Sequence, residues 1–175
     1  PGFHAEYTCD KELLCKISQL ANRYQLPVYA HISETEEEVD GCRSRYGMTP
    51  FAFLDSLDMF RCGGGGYHLV HVTEEELILM KERGVYAITN PASNLKLSSG
   101  IAKVGKWLEH GIPVAIGTDG AASNNALDFF REMYLVATLG NVTSDSGKGV
   151  SAADVLKMAC HTGADALGIP ESNCL

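Results

Sequence analysis

Apolar and polar positions along this chain switch repeatedly between a helical period and short continuous apolar runs. In "KELLCKISQLANRYQ", residues 11–25, Leu13, Ile17, Leu20 and Tyr24 recur at helical spacing, and "LPVYAHIS" follows as a β-branched and aromatic run opened by Pro27. One helix therefore feeds one strand. After a polar stretch of helical character, "MTPFAFLDSLDMF" places Thr49 and Pro50 in the order that starts a helix, a capping hydroxyl followed by a residue with φ already near the helical value. Four glycines at 63–66 free the chain to turn into a strand expected over "YHLVHV", residues 67–72. Thr73 and Glu76 form a capping-box pair opening "EEELILMKERG", Gly84 is placed to end it, and "VYAITN" predicts the next strand. "IAKVGKWLEHG" predicts a helix closed by Gly111, and "IPVAIGTD" a fourth strand. "ALDFFREMYLVATL" and "SAADVLKMACH" predict two more helices, joined by a Gly- and Ser-rich linker at 140–150. There is no fixed-period repeat and no domain boundary.

Helices alternating with strands that are apolar on both faces imply an α/β fold, a parallel sheet covered by helices. An open doubly wound sheet and part of a β/α barrel both satisfy the pattern, and both collect function at the carboxyl ends of the strands. Polar side chains sit at those ends: His31 with Glu34 three residues on, then His68, Asn90 and Asp119. Imidazole with carboxylate suits zinc or a similar divalent ion that keeps a position open for water. Such an ion lowers the pKa of its water toward neutrality, and a carboxylate such as Glu34 can carry the released proton to a leaving group. Asp119 would hold the metal or its hydroxide, with Gly117 and Gly120 letting backbone approach closely.

Composition narrows the classes. At 175 residues, 45% hydrophobic and 21% charged, the chain is sized for one soluble domain with a sizeable core. Its formal charge of −8 lacks the basic patch that nucleic acid requires. No apolar stretch approaches the roughly 20 residues needed to span a bilayer, and "PGFHAEYTCD" carries no signal pattern, so the reading is cytoplasmic, with neither membrane nor nucleic acid as partner. The acidic run "ETEEEVD", residues 34–40, reads as a solvated helix face. Six cysteines without a C-x-x-C pair read as reduced thiols.

Other candidates receive structural readings. His71 falls three residues after His68, so on a strand the two would face opposite ways. His110 precedes the helix-ending Gly111, where a cationic ring suits the helix dipole, and His161 sits near another helix end. The glycine run leads into a strand and lacks G-K-[ST], which argues against a phosphate cradle.

"HISET", "GYHLVH", "NPASNLKLSSGIA" and "GTDGAASNN", in this order, resemble the amidohydrolase superfamily, in its deaminase and chlorohydrolase branch that includes 5-methylthioadenosine/S-adenosylhomocysteine deaminases. The resemblance runs from "GFHAEYTC" to "GADALGI" and implies a (β/α)₈ TIM-type barrel with one catalytic divalent metal, zinc or iron. It implies that His31 is a metal ligand, that Glu34 shuttles a proton to the substrate's ring nitrogen, and that His68 steadies the attacking hydroxide or the leaving group. Asp119 would bind metal and take the proton from water, and His4 would contact the sugar of a nucleoside. The implied reaction is hydrolytic deamination of a nucleoside or related amino-heterocycle by metal-activated water. The two further ligands of that family form an H-x-H motif that these 175 residues lack. A complete barrel takes about 250 residues, so residues 1–175 are expected to be a single partial barrel domain, approximately units five to eight. Such a half barrel would expose two sheet edges and should pair with its missing amino-terminal half or self-associate as a homo-oligomer. A chlorohydrolase of the same superfamily and a non-catalytic assembly module are the alternatives.

Overall fold

The structure is a computed structural model and describes residues 1–144, 147 and 149–172, so part of the 140–150 linker and Cys174 lie outside the described residues. Four strands, β1 (Val28–Ile32), β2 (Gly64–His68), β3 (Val85–Thr89) and β4 (Val114–Ile116), form one sheet in the order β1-β2-β3-β4. Every neighbouring pair is parallel, with Val28 opposite Gly64, Gly64 opposite Val85 and Ala87 opposite Val114. The helices are α1 (Lys11–Tyr24), α2 (Glu36–Tyr46), α3 (Pro50–Ser56), α4 (Glu74–Arg83), α5 (Pro91–Lys96), α6 (Val104–Glu109), α7 (Ala121–Asn124), α8 (Phe129–Val142), α9 (Ala152–Lys157) and α10 (Gly163–Ala166). A single π turn, Met158–Thr162, joins the last two. Among the described residues no helix is long and apolar enough to cross a membrane. Cys9, Cys15, Cys42, Cys62 and Cys160 are free thiols.

Local signals set most boundaries. Asp10 caps α1 by accepting the Leu13 N–H at 2.7 Å, and the Thr73/Glu76 capping box is complete at the start of α4. Gly84 ends that helix in the left-handed region at φ 64°, where a side chain would be strained. Val28, Ala30 and Ile32 point from β1 into the core, which also takes Phe51, Phe60, Trp107 and Met80. The opposite face of the sheet carries Tyr29, Tyr67, Ile88 and Ala115, which line a cavity of about 500 Å³ with Phe129 and Ala164. At its far side the Tyr29 hydroxyl donates to the Ala166 carbonyl of α10.

Tertiary packing overrode four expectations. Helix α1 buries Leu14, Ser18 and Ala21, whereas Leu13, Leu20 and Tyr24 are 46%, 53% and 61% exposed. The inner face is turned so that Leu14 fills the core with Ile17 packed beside it, and Ser18 comes close enough to donate to the Leu57 carbonyl at 2.6 Å. The second strand is built from the glycines themselves, and "YHLVHV" contributes only Tyr67 and His68 before φ turns positive at His68 and Leu69. Glycine is required there because a Cβ on Gly64 would lie 1.9 Å from the Val28 carbonyl oxygen, and Gly65 lies under Tyr29 and Ile88. Gly64→Ala combines that clash with a φ of 138°. It is expected to lower stability by about 3 kcal/mol, since overpacking and backbone strain each cost about 1–3 kcal/mol, and the urea midpoint reads it.

The third difference concerns the sheet edge. Pro1–His4 runs alongside β1: the Tyr29 N–H donates to Pro1 O, Phe3 N–H to Tyr29 O and His31 N–H to His4 O. The edge of the sheet on this side is therefore the Pro1–His4 segment rather than β1, while among the described residues β4 pairs only with β3. The fourth concerns the acidic run, in which Glu36, Glu37 and Asp40 are exposed but Glu38 is buried.

Candidate active site

The carboxyl end of β1 carries His31 and leads directly into Glu34. His31 Nδ1 lies 2.7 Å from the His4 carbonyl oxygen. A carbonyl can only accept, so Nδ1 bears the proton and Nε2 keeps its lone pair, the tautomer a metal-binding imidazole needs. Ser33 takes a left-handed φ of 51°, which swings the chain so that Glu34 follows the strand end. Buried Glu38 fixes this bend, its two carboxylate oxygens accepting the Ser33 and Glu34 N–H groups, both at 2.7 Å. Desolvation by burial pushes the Glu38 carboxyl above its ordinary range, against the pull of those two backbone donors. Ser99 Oγ donates to Glu34 Oε1 at 2.9 Å, orienting the side chain.

His68 ends β2 with φ at 70° and is 1% exposed. Its Nδ1–H donates to Asn94 Oδ1 at 2.7 Å, which leaves Nε2 as an acceptor 3.7 Å from Glu34 Oε2. That gap is too long for a direct hydrogen bond and leaves both atoms free for a third partner. The rings of His31 and His68 stack with centroids 5.3 Å apart. Burial lowers the His68 pKa, and nearby His31 adds to the effect, outweighing the opposing pull of Asn94, Glu34 and Asp119. Burial thus biases the ring toward its neutral form.

Asp119 stands three residues beyond β4 rather than at its end, in a loop where its own φ is 57°. Short side-chain hydrogen bonds tolerate this conformation in Asp better than in most residues. Oδ2 accepts from Ser93 Oγ at 2.6 Å and Ser123 Oγ at 2.8 Å, and Oδ1 accepts the Gly120 N–H at 2.7 Å. Desolvation pushes the carboxyl up, but the hydrogen bonds from Ser93, Ser123 and Gly120 outweigh it and hold Asp119 below the usual carboxylate range. A Cβ on Gly117 would sit 2.4 Å from Asn90 Oδ1, so a larger residue there would have to displace the Asn90 side chain.

His4, His31, His68 and Glu34 thus form one chain of contacts, with the His4 and His31 rings 4.8 Å apart. Asp119 is held separately in the loop after β4, by Ser93 of α5 and Ser123 of α7. Asn90, at the end of β3, packs against Gly117. His71 lies beyond the strand and donates from Nε2 to the Ser99 carbonyl at 2.8 Å, so it supports Ser99 and does not face the site. His110 caps α6, its Nδ1–H donating to Lys106 O at 2.9 Å, and His161 lies exposed in the π turn. Sequence reasoning missed Glu38, Ser93, Asn94, Ser99 and Ser123. Four of these are uncharged, and the signal available for them was the density of Ser and Asn immediately after two strand ends.

The residues present fit part of a metal's coordination shell. His31 offers a free Nε2 and Asp119 an ionised carboxylate, both suited to zinc. Among the described residues no three His, Cys, Asp or Glu side chains come together to hold a metal, so any further ligands come from elsewhere.

Parallel strands wrapped by helices, with titratable side chains collected at the strand ends, define this chain as part of a (β/α)₈ barrel. It belongs to the amidohydrolase family, whose profile matches residues 1–173. The 5'-deoxyadenosine deaminase of Methanosphaera stadtmanae is 46% identical over 95% of this chain and 39% of its own length. The 5-methylthioadenosine/S-adenosylhomocysteine deaminase of Carboxydothermus hydrogenoformans is 45% identical over 98% of this chain and 40% of its own. Among solved structures, an adenosine deaminase from Xanthomonas campestris with bound zinc superposes with a TM-score of 0.90 at 36% identity, over 97% of this chain and 38% of that one. The chain spans about two fifths of the length of the curated relatives it matches.

Proposed function

We propose that this chain is the part of a metal-dependent hydrolytic deaminase corresponding to barrel units five to eight, acting on adenosine-type nucleosides or related amino-heterocycles. The observation that carries this reading is the joining of Glu34 and His68 from adjacent strands across a 3.7 Å gap, with a serine-held Asp119 after β4 of the same sheet. Its missing amino-terminal half would supply the remaining ligands and cover the exposed Leu13, Leu20 and Tyr24 stripe of α1.

A divalent metal, zinc in the first instance, would be held by His31 Nε2 and Asp119 together with those ligands, and would acidify the water that attacks. Asp119 would take a proton from the attacking water as the water's oxygen bonds to the carbon bearing the amino group. Glu34 delivers a proton to the adjacent ring nitrogen, with Ser99 keeping its carboxyl aimed. His68 in its neutral form, fixed by Asn94, presents Nε2 to a hydrogen of the water or of the departing amine. Asp119 would return its proton to the amino nitrogen and the new hydroxyl would give its proton to Glu34, restoring it, so that the C–N bond breaks as the C=O bond forms and ammonia leaves. His4 would face the sugar.

The test is a release assay on the full-length protein. Ammonia should appear from adenosine, 5'-deoxyadenosine or methylthioadenosine. Chloride release from a chlorotriazine without ammonia from any nucleoside would overturn the deaminase assignment in favour of a chlorohydrolase.

A further inference from the structure

Glu132 on α8 is a carboxylate with no exposure at all, and the proposed chemistry does not use it. Its oxygens reach two separate segments of the site. Oε2 accepts the Ala92 N–H at 3.0 Å, at the start of α5, and Oε1 accepts from Asn124 Nδ2 at 2.8 Å, at the end of α7. Asn124 Nδ2 also donates to the Thr118 carbonyl at 2.6 Å, tying the same knot to the loop that carries Asp119. The residues next in sequence are Ser93 and Ser123, the two hydroxyls that converge on Asp119 Oδ2. Arg131 faces this network, donating to the Asn124 carbonyl at 3.2 Å and to Asn124 Oδ1, and lies 3.8 Å from Glu132.

We propose that Glu132 is a positioning residue, which clamps the α5 and α7 ends together so that Ser93 and Ser123 hold one Asp119 oxygen and orient its carboxylate toward metal. A buried carboxylate deprived of partners is costly, so its two acceptor oxygens fix the spacing of the two donors that satisfy them. Ser123 reaches Asp119 from only four residues away, whereas Ser93 comes from the segment after β3, so their convergence on one oxygen needs α5 and α7 held together. Lys96 braces the same two segments from the solvent side, donating to Ala122 O and Asn125 Oδ1 at 2.6 Å. Loss of Glu132 should therefore loosen Asp119 without unfolding the loop.

The inference rests on the reading of Asp119 as a metal ligand, and the experiment separates the two. In the full-length zinc-loaded protein, zinc dissociation constants are measured by chelator competition for Glu132→Gln, Asn124→Ala, Asp119→Asn and Glu76→Gln. Glu76 is an equally buried carboxylate that accepts backbone N–H groups of Thr73 and Ala52 away from the site. Glu132→Gln turns one acceptor into a donor facing an N–H, and it should weaken zinc binding about 10-fold, the low end of the cost of losing a direct partner of a ligand, because Glu132 acts through Ser93 and Ser123. Turnover should fall with it while KM stays near its normal value. Asn124→Ala should weaken zinc in the same range, and the double variant should be little worse than the weaker single, as expected of two members of one network. Glu76→Gln should lower the thermal midpoint and leave zinc affinity unchanged. Zinc affinity at the normal value in Glu132→Gln and Asn124→Ala, with Asp119→Asn impaired, overturns the positioning role alone. Equal loss of affinity in Glu76→Gln also overturns it, since the effect would then be general destabilisation. Normal affinity in Asp119→Asn removes the metal-ligand reading itself. If Glu132→Gln does not accumulate as folded protein, Asn124→Ala decides.

Discussion

Glu34→Gln in the full-length protein is expected to reduce kcat by about 10²–10⁴-fold, the range that a positioned general acid–base supplies, while metal content and fold stay unchanged. Glutamine keeps an oxygen for the Ser99 hydroxyl, which donates to Glu34 Oε1 in the native site. The Glu34 N–H bonded to Glu38 is backbone and unaffected. What the variant removes is the transferable proton, so the defect should appear in kcat with KM nearly preserved. Steady-state kinetics of ammonia release, paired with elemental analysis, measure both quantities. A variant with full metal and turnover within a few-fold of normal would take the proton-carrier role away from Glu34.

Asp119→Asn should act on both metal and chemistry. The side chain keeps its shape and can still accept from Ser93 and Ser123, which hold Asp119 Oδ2, but it loses the charge that those donors and the Gly120 N–H stabilise. Outer partners of a ligand typically cost 10–100-fold in metal affinity, so loss of a charged ligand should cost at least about 100-fold. Loss of the proton acceptor should remove turnover besides. Dialysis followed by elemental analysis reads the first effect, and turnover at saturating added zinc reads the second. Restored affinity with no turnover would assign Asp119 to proton transfer alone. Unchanged metal content and unchanged turnover would leave an assembly module as the better description of this chain.

How legible the site was depended on the kind of residue. His31, Glu34, His68 and Asp119 could be named from sequence because each is titratable and falls at or just after an apolar run, and the motifs around them resembled a known family. The hydroxyls and amides that aim them could not be ranked. Ser93, Asn94 and Ser99 look like ordinary loop residues until Asp119, His68 and Glu34 are brought within 2.6–2.9 Å of them. Glu38 was hidden among acidic neighbours that really are solvated, and only its backbone partners at Ser33 and Glu34 distinguish it.

The sequence by itself determined the order of elements, their caps and the α/β class, because capping boxes, helix-ending glycines and apolar runs act within a few residues of their own position. Thr73, Glu76 and Gly84 bound α4 as their chemistry requires. The tertiary structure decided everything that needs two distant segments at once. It set which stripe of α1 turns inward, where Ser18 reaches Leu57, and placed a run of glycines against β1, where Val28 leaves no room for a Cβ. It also gathered the donors around Asp119 from segments about 26 residues apart in sequence. Those choices follow from close packing and from the need of every buried polar group for a partner, and neither condition exists until the chain has folded.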